Sequence, residues 1–131
     1  MKILIAEDDF ATRKYLKKLL SNYGECDITV NGEEAVDAFI MAVEDDEPYD
    51  LVWLDVMMPV MDGFQALQAI RSIETERNIP DDKITKIIVN TALNNKAQVD
   101  KAFELGCTVY IGKPIDIKKV EEVLKKYGFS K

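Results

Sequence analysis

Short runs in which every residue is apolar alternate along this chain with longer stretches whose apolar residues recur every three or four positions. That alternation predicts repeated strand and helix units around a mostly parallel sheet, and five pairs can be counted. The first strand is read at Lys2 to Ala6. Its helix is read from about Phe10 to Tyr23, with Leu16, Leu19, Leu20 and Tyr23 as the apolar stripe and Gly24 as the stop. The second strand, Cys26 to Val30, alternates polar Asp27 and Thr29 with Ile28 and Val30, the pattern of a half-exposed edge. Asn31 followed by Glu34 resembles a helix-start signal, and Ala35, Val36, Phe39, Ile40 and Val43 supply that helix's inner face.

Leu51-Val52-Trp53-Leu54 is apolar throughout, the mark of a strand covered on both faces, and it delivers Asp55 at its carboxyl end. Phe64, Leu67, Ile70 and Ile73 recur at helical spacing, and a polar connection with Pro80 runs from Asn78 to Lys86. Ile87 to Val89 is the fourth strand, ending at Asn90-Thr91. Val99, Ala102 and Phe103 mark the fourth helix, and Thr108 to Ile111 is the fifth strand. Ile117, Val120, Val123, Leu124 and Tyr127 face inward on the last helix, with Lys118, Lys119, Lys125 and Lys126 on its solvated side.

Composition narrows the function. The 131 residues suit one domain spanning 1–131, with no output domain expected after the last helix, and an apolar fraction of 47% is enough to bury a core. Net charge is −7, divided as −10 over residues 1–63 and +3 over the rest, which disfavours sequence-independent nucleic-acid binding. The absence of histidine removes His-based triads and imidazole ligands. Cys26 and Cys107 form no CxxC motif and read as buried free thiols. No apolar run approaches membrane-spanning length and the amino terminus is not a signal peptide, so a cytoplasmic protein is expected.

In an open parallel sheet, ligands bind beyond the carboxyl ends of the strands. There the chain places Glu7-Asp8-Asp9 after strand one, Asp55 after strand three, Thr91 after strand four and Lys113 after strand five. Crowded carboxylates raise one another's proton affinity unless a cation lies between them, and Mg²⁺ suits an oxygen-only donor set. Asp55 beside such an ion can act as a nucleophile toward phosphorus, while Lys113 and the Thr91 hydroxyl take phosphoryl oxygens. Taken singly, these residues have ordinary readings as well. Asp9 and Asp62 could cap helices, Thr91 could be a turn residue and Lys113 a solvated lysine.

Together the residues resemble the receiver domain of two-component response regulators from Lys2 to about Tyr127. Asp8-Asp9 is similar to that family's acidic pair, and Leu54-Asp55-Val56-Met57-Met58-Pro59-Val60-Met61-Asp62-Gly63 is similar to its phosphoacceptor segment. Thr91-Ala92, Tyr110 and Lys113-Pro114 resemble its switch hydroxyl, switch aromatic and lysine before proline. The resemblance implies a doubly wound, flavodoxin-like (βα)₅ fold, strand order 2-1-3-4-5, and a cis bond before Pro114. It implies that a histidine kinase or phosphotransfer protein donates a phosphoryl group to Asp55. Mg²⁺ would lie on Asp8, Asp55 and the Met57 carbonyl, with Asp9 helping directly or through water. Thr91 and Tyr110 would then remodel the face of helix four, strand five and helix five for a downstream target protein, in a monomer or a phosphorylation-dependent dimer.

The chain departs from the family at Asn90, where an apolar residue is usual, at Val109, usually acidic, and in the long 78–86 connection. Met57 and Leu93 are apolar at positions that, in the family it resembles, influence water access to the acyl phosphate, so the resemblance implies slow self-dephosphorylation. Three other readings stand beside this one. A phosphatase with an aspartyl-phosphate intermediate would need a second Asp where Met57 stands, and a flavodoxin-like cofactor binder would need a Ser, Thr and Gly-rich loop in place of Glu7-Asp8-Asp9. An inactive docking module would be expected to have lost a site residue.

Overall fold

A computed structural model describes residues 1–92 and 95–131. The strands are β1 (Lys2–Ala6), β2 (Glu25–Thr29), β3 (Leu51–Asp55), β4 (Lys86–Thr91) and β5 (Val109–Gly112). The helices are α1 (Phe10–Leu20), α2 (Gly32–Glu44), α3 (Gly63–Glu76), α4 (Lys96–Glu104) and α5 (Ile117–Lys126), with a 3₁₀ turn at Asp81–Lys83 inside the long connection. The strands form one parallel sheet in the order β2-β1-β3-β4-β5. None of the described helices is long and apolar enough to cross a membrane.

The pleat sorts the side chains into two cores. Ile3, Ile5, Leu51, Trp53, Ile88 and Ile111 face Leu16 and Leu20 of α1 and Val120 and Leu124 of α5. Leu4, Ala6, Val52, Leu54, Ile87 and Val89 face Phe39 of α2, Leu67 and Ile70 of α3, and Ala102 of α4. Each α-helix starts at an Asp or Asn whose side chain accepts from the backbone of the first turn: Asp9, Asn31, Asp62, Asn95 and Asp116. Asp62 and Gln65 form a reciprocal capping box.

Several boundaries and faces differ from the sequence reading. Helix α1 ends at Leu20, because Ser21 caps it before Gly24 is reached. Residues Asn90 and Thr91 lie inside β4. Phe103 is 50% exposed, since α4 reaches the core through the small Ala102, and Ile117 is 43% exposed at the first turn of α5. Cys107 is buried while Cys26, on the edge strand, is half-buried. Leu93, one of the two residues tied to slow dephosphorylation, lies outside the described residues.

Candidate functional site

Three strands end at one rim. Ala6 pairs with Leu54 and Asp55 with Asn90, so Glu7, one step beyond β1, sits level with Asp55. Glu7 is fully buried and Asp55 is 3% exposed, whereas Asp8 is exposed. One carboxylate oxygen from each of the three lies within 4.8 Å of the others. The Lys113 ammonium crosses from β5 to donate to Glu7 Oε1 at 2.9 Å and approaches Asp55 Oδ2 at 3.5 Å.

The backbone holds this arrangement from two sides. Arg13 Nη1 donates to the carbonyls of Glu7 and Asp8, each at 3.2 Å, and fixes the turn between β1 and α1. Behind Asp55, the loop folds back so tightly that a Cβ on Gly63 would lie 2.2 Å from the Asp55 carbonyl oxygen, so only glycine fits there. The Gly63 N–H donates to the Val56 carbonyl at 2.9 Å. The Lys113 N–H donates to the Thr91 carbonyl at 3.0 Å, and the Lys113-Pro114 bond is cis.

Electrostatics follow from the crowding. Burial pushes the Asp55 carboxyl up to about 7, helped by the hydrogen bond and charge of Glu7 and by the Asp8 charge, with Lys113 opposing. Burial alone would lower the Lys113 ammonium. The Glu7 hydrogen bond and the charges of Asp55 and Glu7 outweigh it and raise the group above its ordinary value. A divalent cation among three hard carboxylate oxygens would relieve this repulsion, and the donor set fits Mg²⁺ and not a thiophilic metal.

The residues singled out in the sequence divide between this cluster and its surroundings. Asp8, Asp55 and Lys113 meet there. Asp9 does not join the group of three: its Oδ2 accepts from the Thr12 N–H at 2.9 Å and hydroxyl at 2.7 Å, capping α1 and lowering its own pKa. The acidic pair therefore reads better as Glu7 and Asp8, one residue earlier than expected. Strand alternation carried that signal, because Ile3, Ile5 and Glu7 share one face of the sheet. Thr91 is buried at the end of β4, on the same face as Val89. The register partner of Val89 is Tyr110, which packs against the α3 and α4 side. Met57, two residues beyond Asp55, is 60% exposed.

A family model for the response regulator receiver domain matches residues 3–125. The chain is 34% identical over 128 residues to hybrid signal transduction histidine kinase L of Dictyostelium discoideum, covering 97% of this chain but only 7% of that kinase. The receiver domain of Ssk1, solved in complex with the histidine phosphotransfer protein Ypd1 of Saccharomyces cerevisiae, is similar with a TM-score of 0.83 and 25% identity, over 98% of this chain and 88% of that one. The CheX-CheY-BeF3-Mg²⁺ complex of Borrelia burgdorferi contains a chain similar with a TM-score of 0.77 and 28% identity, over 97% and 89%.

Proposed function

This chain belongs to the response regulator receiver domain family, and on that premise we propose that it is a single receiver unit that takes a phosphoryl group onto Asp55. The donor is the phosphohistidine of a histidine kinase or phosphotransfer protein. The observation that carries this reading is the buried Asp55 carboxylate flanked by Glu7, Asp8 and the Lys113 ammonium at one rim.

An Asp55 carboxylate oxygen attacks phosphorus, the bond from phosphorus to the donor imidazole breaks, and an acyl phosphate forms. Glu7, Asp8 and Asp55, with the Met57 carbonyl, would hold Mg²⁺, which neutralises phosphoryl charge when bound. Lys113 leaves Glu7 for a phosphoryl oxygen, and the Thr91 hydroxyl takes another. Thr91 and Tyr110 lie on one face of adjacent strands, so movement of the first changes the packing of the second against α4. The altered α4, β5 and α5 surface then selects a downstream target protein. Because it holds no second Asp at Met57, the site is a phosphoacceptor switch and not a turnover phosphatase.

Mixing the chain with a phosphorylated histidine phosphotransfer domain tests the proposal. Loss of label from the donor and its appearance on the wild type, but not on Asp55→Asn, is expected. A donor that keeps its label with every histidine phosphotransfer domain tried, or equal labelling of Asp55→Asn, would overturn it.

A further inference from the structure

Two buried side-chain polar atoms have no hydrogen-bond partner among the described residues: the indole Nε1 of Trp53 and the amide Oδ1 of Asn90. They are complementary. An indole nitrogen can only donate, and an amide oxygen can only accept. Both residues are completely buried. They also occupy adjacent strands, since Trp53 pairs with Ile88 and Asn90 with Asp55. Trp53 and Ile88 lie in the core facing α1 and α5, and Asn90, two positions beyond Ile88, lies on that same face. Trp53 and Asn90 are thus diagonal neighbours on one face, about 7–8 Å apart at the backbone; the two polar atoms do not bond directly, and the gap is of the order that one bridging water spans.

The other end of the amide is already committed. Asn90 Nδ2 donates to the Ile111 carbonyl of β5 at 2.8 Å, which also fixes which atom of the amide is the oxygen, because a flipped amide would set two oxygens against each other. Ile111 is two residues before Lys113, and the row Glu7, Asp55, Asn90, Ile111 runs across the sheet directly below the lysine arm. An apolar side chain at position 90 would fill this space with no desolvation cost, so a buried amide there needs its own explanation.

We propose that Asn90 is a positioning residue of the site: its carboxamide ties β5 to β4 beneath Lys113, and its oxygen is joined to the Trp53 indole N–H through one buried water. The tie holds Lys113 over Asp55, and the indole orients the amide. Changes at Asp55 therefore reach the indole through the adjacent strand. This inference rests on the proposed phosphoacceptor role only for its consequence at Lys113; the pairing itself can be judged in the unmodified protein.

Trp53 is the single tryptophan, so its indole N–H gives one resonance. In the free protein that proton should exchange slowly, and in Asn90→Leu, nearly the same size without hydrogen-bonding groups, its chemical shift and protection should both change. Titration with beryllium fluoride in Mg²⁺ should shift the resonance in the wild type. Asn90→Leu should need about tenfold more beryllium fluoride for half-saturation, with Mg²⁺ binding unchanged, and Trp53→Phe should show a smaller effect of the same kind. An Asn90→Leu protein with an unaltered indole resonance and unaltered beryllium fluoride affinity would overturn the proposal, whatever its melting temperature. If beryllium fluoride fails to bind the wild type, the phosphoacceptor reading fails, and indole exchange in the free protein decides the pairing alone.

Discussion

Lys113 and Glu7, 106 residues apart, meet at 2.9 Å, and the glutamate in that pair is wholly buried while the lysine keeps a quarter of its side chain exposed. Without its ammonium partner, Glu7 would be a desolvated charge. Lys113→Met should destabilise the metal-free protein by about 2 kcal/mol, below the usual cost of breaking a fully buried pair because the lysine is partly hydrated. Glu7→Gln in the same background should recover most of the loss. Urea midpoints in chelator read both.

The raised Asp55 carboxyl predicts a pH dependence. Between about 4, its value in an unfolded chain, and about 7 in the fold, the native state binds the additional proton. Stability in chelator should therefore fall as pH rises through that window. Asp55→Asn should remove this slope and be the more stable protein at pH 8, and Mg²⁺ should restore the wild type. Denaturation midpoints from pH 5 to pH 8, with and without Mg²⁺, measure it.

Far from the rim, Arg71 and Glu74 form a buried ion pair that stitches α3 to neighbouring segments. Arg71 also donates to the carbonyls of Gly106 and Thr85, and Glu74 Oε2 accepts the Thr85 N–H at 2.7 Å. Glu74→Ala leaves the Arg71 guanidinium without its carboxylate and the buried Thr85 N–H without an acceptor, and should cost about 3 kcal/mol. Phosphoryl acceptance by the folded fraction should not change, because none of these atoms reaches Asp55.

Val60 adopts φ 69° with 75% of its surface exposed, a left-handed conformation that a β-branched residue disfavours. It centres a tight turn in which the Met61 N–H donates to the Pro59 carbonyl at 2.8 Å. Val60→Gly should stabilise the chain by about 0.5–1 kcal/mol, the relieved strain exceeding the greater freedom of glycine in the unfolded state. A lower denaturation midpoint would contradict this.

Periodicity carried most of the fold. The wholly apolar Leu51 to Leu54 marked a central strand, and the alternation at Asp27 and Thr29 placed β2 on the edge, as the sheet order bears out. Helix ends were less legible, because a cap such as Ser21 depends on local geometry that apolar spacing does not encode. At the site, Asp8, Asp55 and Lys113 could be placed from strand ends alone. The roles of Glu7 and Asp9 could not: three consecutive acids offer three choices, and only the pleat of β1 and the Thr12 hydrogen bonds separate the buried carboxylate from the helix cap. Asn90 stood out as an unusual residue, but its tie to Ile111 depends on β4 and β5 register, which no local pattern reveals.

Intact mass after incubation with a small-molecule phosphodonor tests the central claim most directly. One added phosphoryl group that requires Mg²⁺, disappears in Asp55→Asn and in chelator, and persists in Asp9→Asn is the predicted result. An unmodified mass under all conditions, or an adduct indifferent to Asp55, would contradict it.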